Sequence, residues 1–175
     1  MTKQGEIDYV KNIGNEGMLH ALNKPFSDSE CGFYLIDIGI IIGLLPEPLA
    51  KLLDLGVGTG WTSAFFAKRG YEVLGQDICP DMISLANKNK DRYQALSTSF
   101  IISDYENLEF SEEFDCAVFY DSLHHAENEH LALEKVYKAL KPGGVLITAE
   151  PGKGHSKSLD GKKAMLKYGV TEKAD

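Results

Sequence analysis

The stretch Asp54-Leu55-Gly56-Val57-Gly58-Thr59-Gly60 constrains this chain more than any other. Its three alternating glycines directly follow a short apolar run, Lys51 to Leu55, and directly precede a helical segment, Trp61 to Arg69. A strand that stops at glycines before a helix brings bare backbone close to whatever lies beyond the strand tip. The apolar run suits a strand of a parallel sheet covered on both faces. A tight strand-to-helix turn without a ligand is the alternative.

The glycine spacing discriminates among ligands. Dinucleotide sites use G-x-G-x-x-G, with pyrophosphate resting on the helix N-terminus. Counted from Gly56, the third glycine of that pattern falls on Trp61, which argues against a nicotinamide-dependent oxidoreductase. Asp54, two residues before the first glycine, would compete with pyrophosphate and suits a ligand carrying an ammonium group. Trp61 itself is expected in the core.

The rest of the chain alternates in the same sense. Residues 1 to 24 are polar and predict a short, loosely held helix. Ser27 and Glu30 have the spacing of a capping box. Tyr34, Leu35, Ile38, Ile41, Ile42 and Leu45 share one helical face, and the run Leu35 to Leu45 reads as a buried helix ended by Pro46 and Pro48. After the glycine loop come a strand at Tyr71 to Gly75, a helix at Pro80 to Lys90 and a strand at Phe100 to Ser103. They are followed by a strand at Phe114 to Tyr120, a helix at Glu129 to Leu140 and a strand at Val145 to Ala149. Strand and helix in turn, with short links, predict an α/β fold: a doubly wound, mostly parallel sheet. Such sheets bind ligands at the carboxyl ends of their strands.

Acids stand at two of those ends. Asp77 follows the first glycine by 21 residues, the spacing at which a carboxylate accepts from ribose hydroxyls. It is also placed to cap the helix beginning near Pro80. Asp104, with Tyr105 beside it, can accept from an adenine amino group; the alternative is a plain loop acid.

These segments resemble the class I S-adenosylmethionine-dependent methyltransferases. The likeness runs through LLDLGVGTG, GYEVLGQDICPDMISLA, SFIISDYENL, FDCAVFYDSLHHAEN and LKPGGVLITAEP, over roughly Lys51 to Pro151. Within that superfamily the Leu-His-His segment looks most like the small-molecule enzymes. The resemblance implies a Rossmann-like fold, S-adenosyl-L-methionine as cofactor and a small-molecule acceptor. It also implies a residue map. Asp54, Gly56, Val57, Gly58 and Gly60 would line the methionine end, and Asp77 would hold the ribose with Ile78 against the adenine. Asp104 and Tyr105 would meet the adenine edge, while Tyr120 and Asp121 would pass beneath the methionine portion. Val57 departs from the cysteine often found there.

Methyl transfer from a sulfonium is a direct displacement, in which the protein mainly orients and desolvates. His125 and His124 are the base candidates, because imidazole titrates near neutral pH. Packing or helix-entry roles are open to both. Tyr120, Asp121 and His155 rank behind them. Phe26, Phe33 and Tyr34 are candidates to wall the acceptor pocket.

The expected organisation is an N-terminal helical cap over 1–48, a cofactor-binding core over 49–152 and a C-terminal helical segment over 153–175, with a helix at 156–168. The family sheet closes with an antiparallel strand pair, which this sequence does not show. Either the sheet ends early or the chain is a piece of a longer protein. A cofactor-binding module without its own activity is therefore the alternative function.

Composition narrows the partners. A formal net charge of −8 disfavours nucleic acid, although six Lys against three acids lie beyond Glu150. Three scattered cysteines without a CxxC pair predict reduced thiols, no metal site and a cytoplasmic location. No apolar run reaches the ~20 residues of a membrane span.

Overall fold

The apolar run at Lys51–Leu55 forms β1, the central strand of a five-stranded sheet. The other strands are β2 (Glu72–Asp77), β3 (Thr98–Ile102), β4 (Phe114–Tyr120) and β5 (Leu140–Ala149). Their order is β3-β2-β1-β4-β5, with every neighbouring pair parallel. The computed structural model describes residues 3–152 and Lys162. His155, and the helix expected at 156–168 apart from Lys162, lie outside the described residues.

Among the described residues, six α-helices connect or flank the strands: α1 (Lys3–Ile7), α2 (Tyr9–Leu22), α3 (Cys31–Leu44), α4 (Trp61–Arg69), α5 (Pro80–Tyr93) and α6 (Glu129–Ala139). Period-two alternation in β1 sorts the layers. Leu52 faces a core built from Ile38, Ile41 and Leu45 of the α3 region with Trp61 and Phe66 of α4. Leu53 and Leu55 face the opposite core, where Phe119 of β4 meets Val136 and Ala139 of α6. Asp54 falls on the same face as Leu52, beneath α4.

The glycine loop is held in place by packing. Gly60 has φ +70°, and a Cβ there would lie 2.9 Å from Cβ of Ala86 and 3.0 Å from Cζ of Phe100. Gly60→Ala therefore combines left-handed strain with overpacking, a loss of about 2–4 kcal/mol. Urea unfolding measures it, and a midpoint equal to that of the parent chain would refute it.

Several elements differ from their sequence expectations. The described part of the segment 1–24 is not one loosely held helix: it holds α1 and α2, with a break at Gly14 (φ 63°, ψ −170°). The end of α2 is pinned by Thr59 Oγ1 donating to Ala21 O (2.9 Å) and Asn89 Nδ2 donating to Leu22 O (3.1 Å). Apolar residues of α2 pack on Cys79, Met82 and Leu85.

The capping box does not form. Glu30 is the N-cap of α3 without a side-chain capping bond. Asp28 Oδ1 instead accepts from Glu30 N (3.0 Å), and Ser27 Oγ donates to His20 O (2.7 Å). A local Asx turn outcompetes the cap.

Helix α3 is buried on one face only. Ile38 and Ile41 are 2% exposed, whereas Ile36, Ile40 and Leu44 are 58%, 56% and 62% exposed. Its composition is apolar all round, but the sheet can cover only one side. Phe26 and Phe33, at 63% and 68%, also face solvent and do not wall a pocket. β5 begins earlier than expected, at Leu140, with an irregular register against β4 between Phe114 and Cys116.

Candidate active site

Strand order reverses between β1 and β4, so the loops leaving these two strands part and open a crevice. A cleft of ≈ 630 Å³ lies there, within the range of small-ligand sites.

One bank is the glycine loop with the end of β2. Gly56 N and Val57 N both donate to Gln76 O, at 2.8 and 3.0 Å. Asp77 closes the loop: its Oδ2 accepts from Gly58 N (2.8 Å) and its Oδ1 from Cys79 N (2.9 Å). Burial pushes the Asp77 carboxyl up, against the opposing pull of those two amides. A Cβ on Gly58 would meet no atom within 4 Å, so its backbone opens onto free space.

The other bank follows β4. Asp121 takes φ 53° and donates its N–H to Ala149 O at 2.8 Å. Asp is one of the few residues that tolerate this left-handed turn. Desolvation raises its carboxyl, while His124, Lys24 and His125 pull the other way. His124 and His125 follow in a single 3₁₀ turn, Leu123–His125, with ring centroids 4.0 Å apart. His124 Nδ1 lies 2.7 Å from Glu150 Oε2, and His125 Nδ1 lies 2.9 Å from Glu6 Oε1.

Aromatic rings form the floor between the banks. Trp61 and Tyr120 meet edge to face at 5.8 Å, and Tyr34 meets Tyr120 at 6.4 Å. The Tyr120 hydroxyl donates to Asp37 Oδ2 (3.0 Å). Burial, aided by Asp37, holds that hydroxyl well above its ordinary range. Burial, then Asp28, Asp121 and Glu30, push Tyr34 up to about 12. Both are therefore neutral phenols at physiological pH.

Helix α1 reaches over the far end. Lys3 Nζ donates to Asp104 Oδ2 (3.0 Å) and lies 3.4 Å from Glu106 Oε2. Burial pushes Asp104 up, but Lys3 and Asn107 outweigh it and leave its carboxyl below the usual range. Tyr105 stacks edge to face on Phe119 and donates its hydroxyl to Ser122 O (3.3 Å).

Eleven of the cofactor and base candidates thus line one cleft, with the wall candidate Tyr34: Gly56, Val57, Gly58, Asp77, Ile78, Asp104, Tyr105, Tyr120, Asp121, His124 and His125. Asp54 and Gly60 do not. The Asp54 side chain is 1% exposed and its Oδ2 accepts from Thr62 Oγ1 (2.8 Å) and Ser63 Oγ (2.6 Å). Strand alternation turns it under the first turn of α4, where the helix dipole also favours a carboxylate. Trp61 serves both core and cleft. Lys3, Glu6 and Glu150 escaped the sequence reading. Only Glu150, directly after a strand end, had a positional signal.

Burial raises the Asp54 carboxyl to about 6, although Ser63 and Thr62 pull it down. Folding therefore favours the protonated acid. That contribution is complete below about pH 4 and is lost as pH rises through about 6, an effect of about 3 kcal/mol. Asp54→Asn mimics the protonated acid. Its unfolding free energy relative to the parent chain should rise by up to about 3 kcal/mol between pH 4 and pH 7.5. Urea titrations at both pH values test this; a constant difference would contradict it.

Comparison with known proteins identifies the family. A family profile described as a methyltransferase domain matches residues 53–148, more than half of the chain. The chain belongs to the class I S-adenosylmethionine-dependent methyltransferases. This methyltransferase domain is 36% identical over 118 residues to the ubiquinone/menaquinone biosynthesis C-methyltransferase UbiE of Methylococcus capsulatus, covering 62% of this chain and 46% of that protein. It is 33% identical over 108 residues to the putative methyltransferase YqeM of Bacillus subtilis, covering 59% and 42%. The methyltransferase domain therefore spans about half the length of the curated relatives it matches. Among solved structures, the [4+2]-cyclase SpnF superposes with a TM-score of 0.73 at 18% identity, covering 86% of this chain and 60% of that one. The PH0226 protein of Pyrococcus horikoshii gives 0.64 at 25%, covering 85% and 65%. No helix among the described residues of this methyltransferase domain is long and apolar enough to cross a membrane.

Proposed function

We propose that the cleft binds S-adenosyl-L-methionine and directs its methyl group to a small-molecule acceptor by in-line displacement. The observation that carries this reading is Asp77. Its carboxylate stands at the end of β2, fixed by Gly58 N and Cys79 N and facing a glycine backbone open to the cleft. A carboxylate so placed accepts from vicinal ribose hydroxyls. The open backbone at Gly58 suits a ligand lying against it, and Asp104 and Tyr105 are placed for the adenine. Eight carboxylates against two lysines line the cleft, which favours a cationic cofactor and disfavours a phosphate backbone.

When bound, the cofactor would supply an electrophilic methyl group on a positive sulfur. The chain's own contribution is alignment and exclusion of water by the Tyr34, Trp61 and Tyr120 floor. Alignment accounts for about 7–11 kcal/mol of barrier in well-oriented reactions. His124 and His125 are the base candidates for an acceptor that must lose a proton. Relatives named as C- and as N-methyltransferases are both similar to this chain, and an acceptor panel of carbon, amine and hydroxyl nucleophiles decides the atom. Free thiols at Cys31, Cys79 and Cys116 support a cytoplasmic site of action.

A ligand present at 100 times its dissociation constant stabilises the fold by about 2.7 kcal/mol. The melting temperature should therefore rise by about 5–10 °C with S-adenosylmethionine at that excess and stay unchanged with reduced nicotinamide dinucleotide. No shift with the former would end this reading.

A second reading is a cofactor-dependent protein that does not transfer the methyl group. It is favoured by a relative named as an S-adenosyl-L-methionine-dependent Diels-Alderase, 29% identical over 131 residues. Release of S-adenosylhomocysteine across a panel of hydroxyl, amine and carbon acceptors separates the two.

A further inference from the structure

Glu150 follows the last residue of β5, and its carboxylate reaches sideways into the turn after β4. Its Oε1 accepts from Ser122 N (3.2 Å) and Leu123 N (2.9 Å). Its Oε2 accepts from His124 N (3.4 Å) and lies 2.7 Å from His124 Nδ1. One carboxylate therefore binds three consecutive backbone amides and the imidazole they carry. Burial pushes this carboxyl up, but His124 and the amides of Leu123 and Ser122 outweigh it and keep it ionised.

We infer that Glu150 is the positioning residue of His124, fixing both the turn that carries the ring and the tautomer that leaves the lone pair on Nε2. This rests on the reading of His124 as the base.

The contrast with His125 supports the division. Its carboxylate partner, Glu6, sits on α1, a helix of five residues. Glu150 is locked to the same turn as the ring it orients. A ring that donates from Nδ1 to a carboxylate must, when neutral, accept at Nε2. An acceptor X–H would then give its proton to Nε2 and keep the electron pair for its bond to the methyl carbon, whose bond to sulfur would break with that pair left on sulfur. Among the described residues, the titratable groups near His124 include Glu150, Asp121 and His125, with Lys24 beyond Asp121 and Glu6 beyond His125.

The test needs no acceptor. Protein labelled with nitrogen-15 at histidine reports the protonation of each ring nitrogen by NMR, and His124→Asn assigns the signals. In the parent chain His124 should carry its proton on Nδ1. In Glu150→Gln the Nδ1–H form should lose its dominance and the His124 titration midpoint should fall by about one pH unit, because a neighbouring negative charge has gone. Glu150→Asp should restore part of both. His125 signals and S-adenosylhomocysteine affinity should change little, which separates loss of positioning from loss of fold. If Glu150→Gln misfolds, the comparison of the parent chain with Glu150→Asp still reads the tautomer. Nε2–H as the dominant form in the parent chain, or an unchanged midpoint in folded Glu150→Gln, overturns the inference. A correct tautomer together with methyl transfer that survives His124→Ala would remove the base reading and leave the positioning intact.

Discussion

Replacing Asp77 with Ala should weaken S-adenosylmethionine binding by about 100-fold or more, the loss of two charge-assisted hydrogen bonds at about 1.5–3 kcal/mol each. This carboxylate also accepts from Gly58 N and Cys79 N. The substitution would therefore remove the proposed ribose acceptor and also slacken the loop proposed to meet the rest of the ligand. Asp77→Asn separates these effects. Its amide oxygen can still accept from one backbone N–H, so the loop should be better preserved than in the Ala variant while affinity still falls. Calorimetry on the folded variants gives the answer. Equal affinity in Asp77→Ala and the parent chain would move the cofactor site elsewhere.

The second large effect concerns turnover. With an acceptor that must lose a proton, His124→Ala should lower turnover by about 10²–10⁴-fold. S-adenosylhomocysteine affinity should stay within a few-fold, since no cofactor contact is assigned to this ring. His125→Ala should cost less, because its carboxylate partner lies on α1 rather than in the turn itself. Single-turnover kinetics distinguish a slowed chemical step from slowed release. Equal losses in the two variants would sink the distinction between the rings. An unchanged rate in His124→Ala would return that residue to a structural role.

The legible parts of this chain were those with a strong local cause. The glycine loop, the β1 run and the helix stop at Gly70 all depend on residues next to one another, and each stands where the sequence places it. Asp77 ends β2 and Asp104 stands two residues beyond β3, so local pattern sufficed to place both at the carboxyl edge of the sheet. Asp54 was read toward the wrong side. Motif logic placed it with the ligand, whereas the alternation of β1 turns it beneath α4 onto Thr62 and Ser63. The Glu150 contact spans 26 residues in sequence, and no local pattern announces which turn a carboxylate will reach. The same holds for Lys3 and Asp104, which are 101 residues apart. Helix α3 shows the limit of composition: an apolar stretch says that burial is favourable, not how many faces the neighbours can cover.

The reversal of strand order has a consequence for how such a protein can diversify. The groups proposed to hold the nucleotide follow β1, β2 and β3, while both imidazoles follow β4 and the Glu150 support of His124 follows β5. Mutational drift around the turn that carries His124 can then reshape what is modified while the proposed nucleotide contacts stay in place. Hybrid chains joined between Asn107 and Phe114 would take the nucleotide contacts from one parent and the turn carrying the imidazoles from the other.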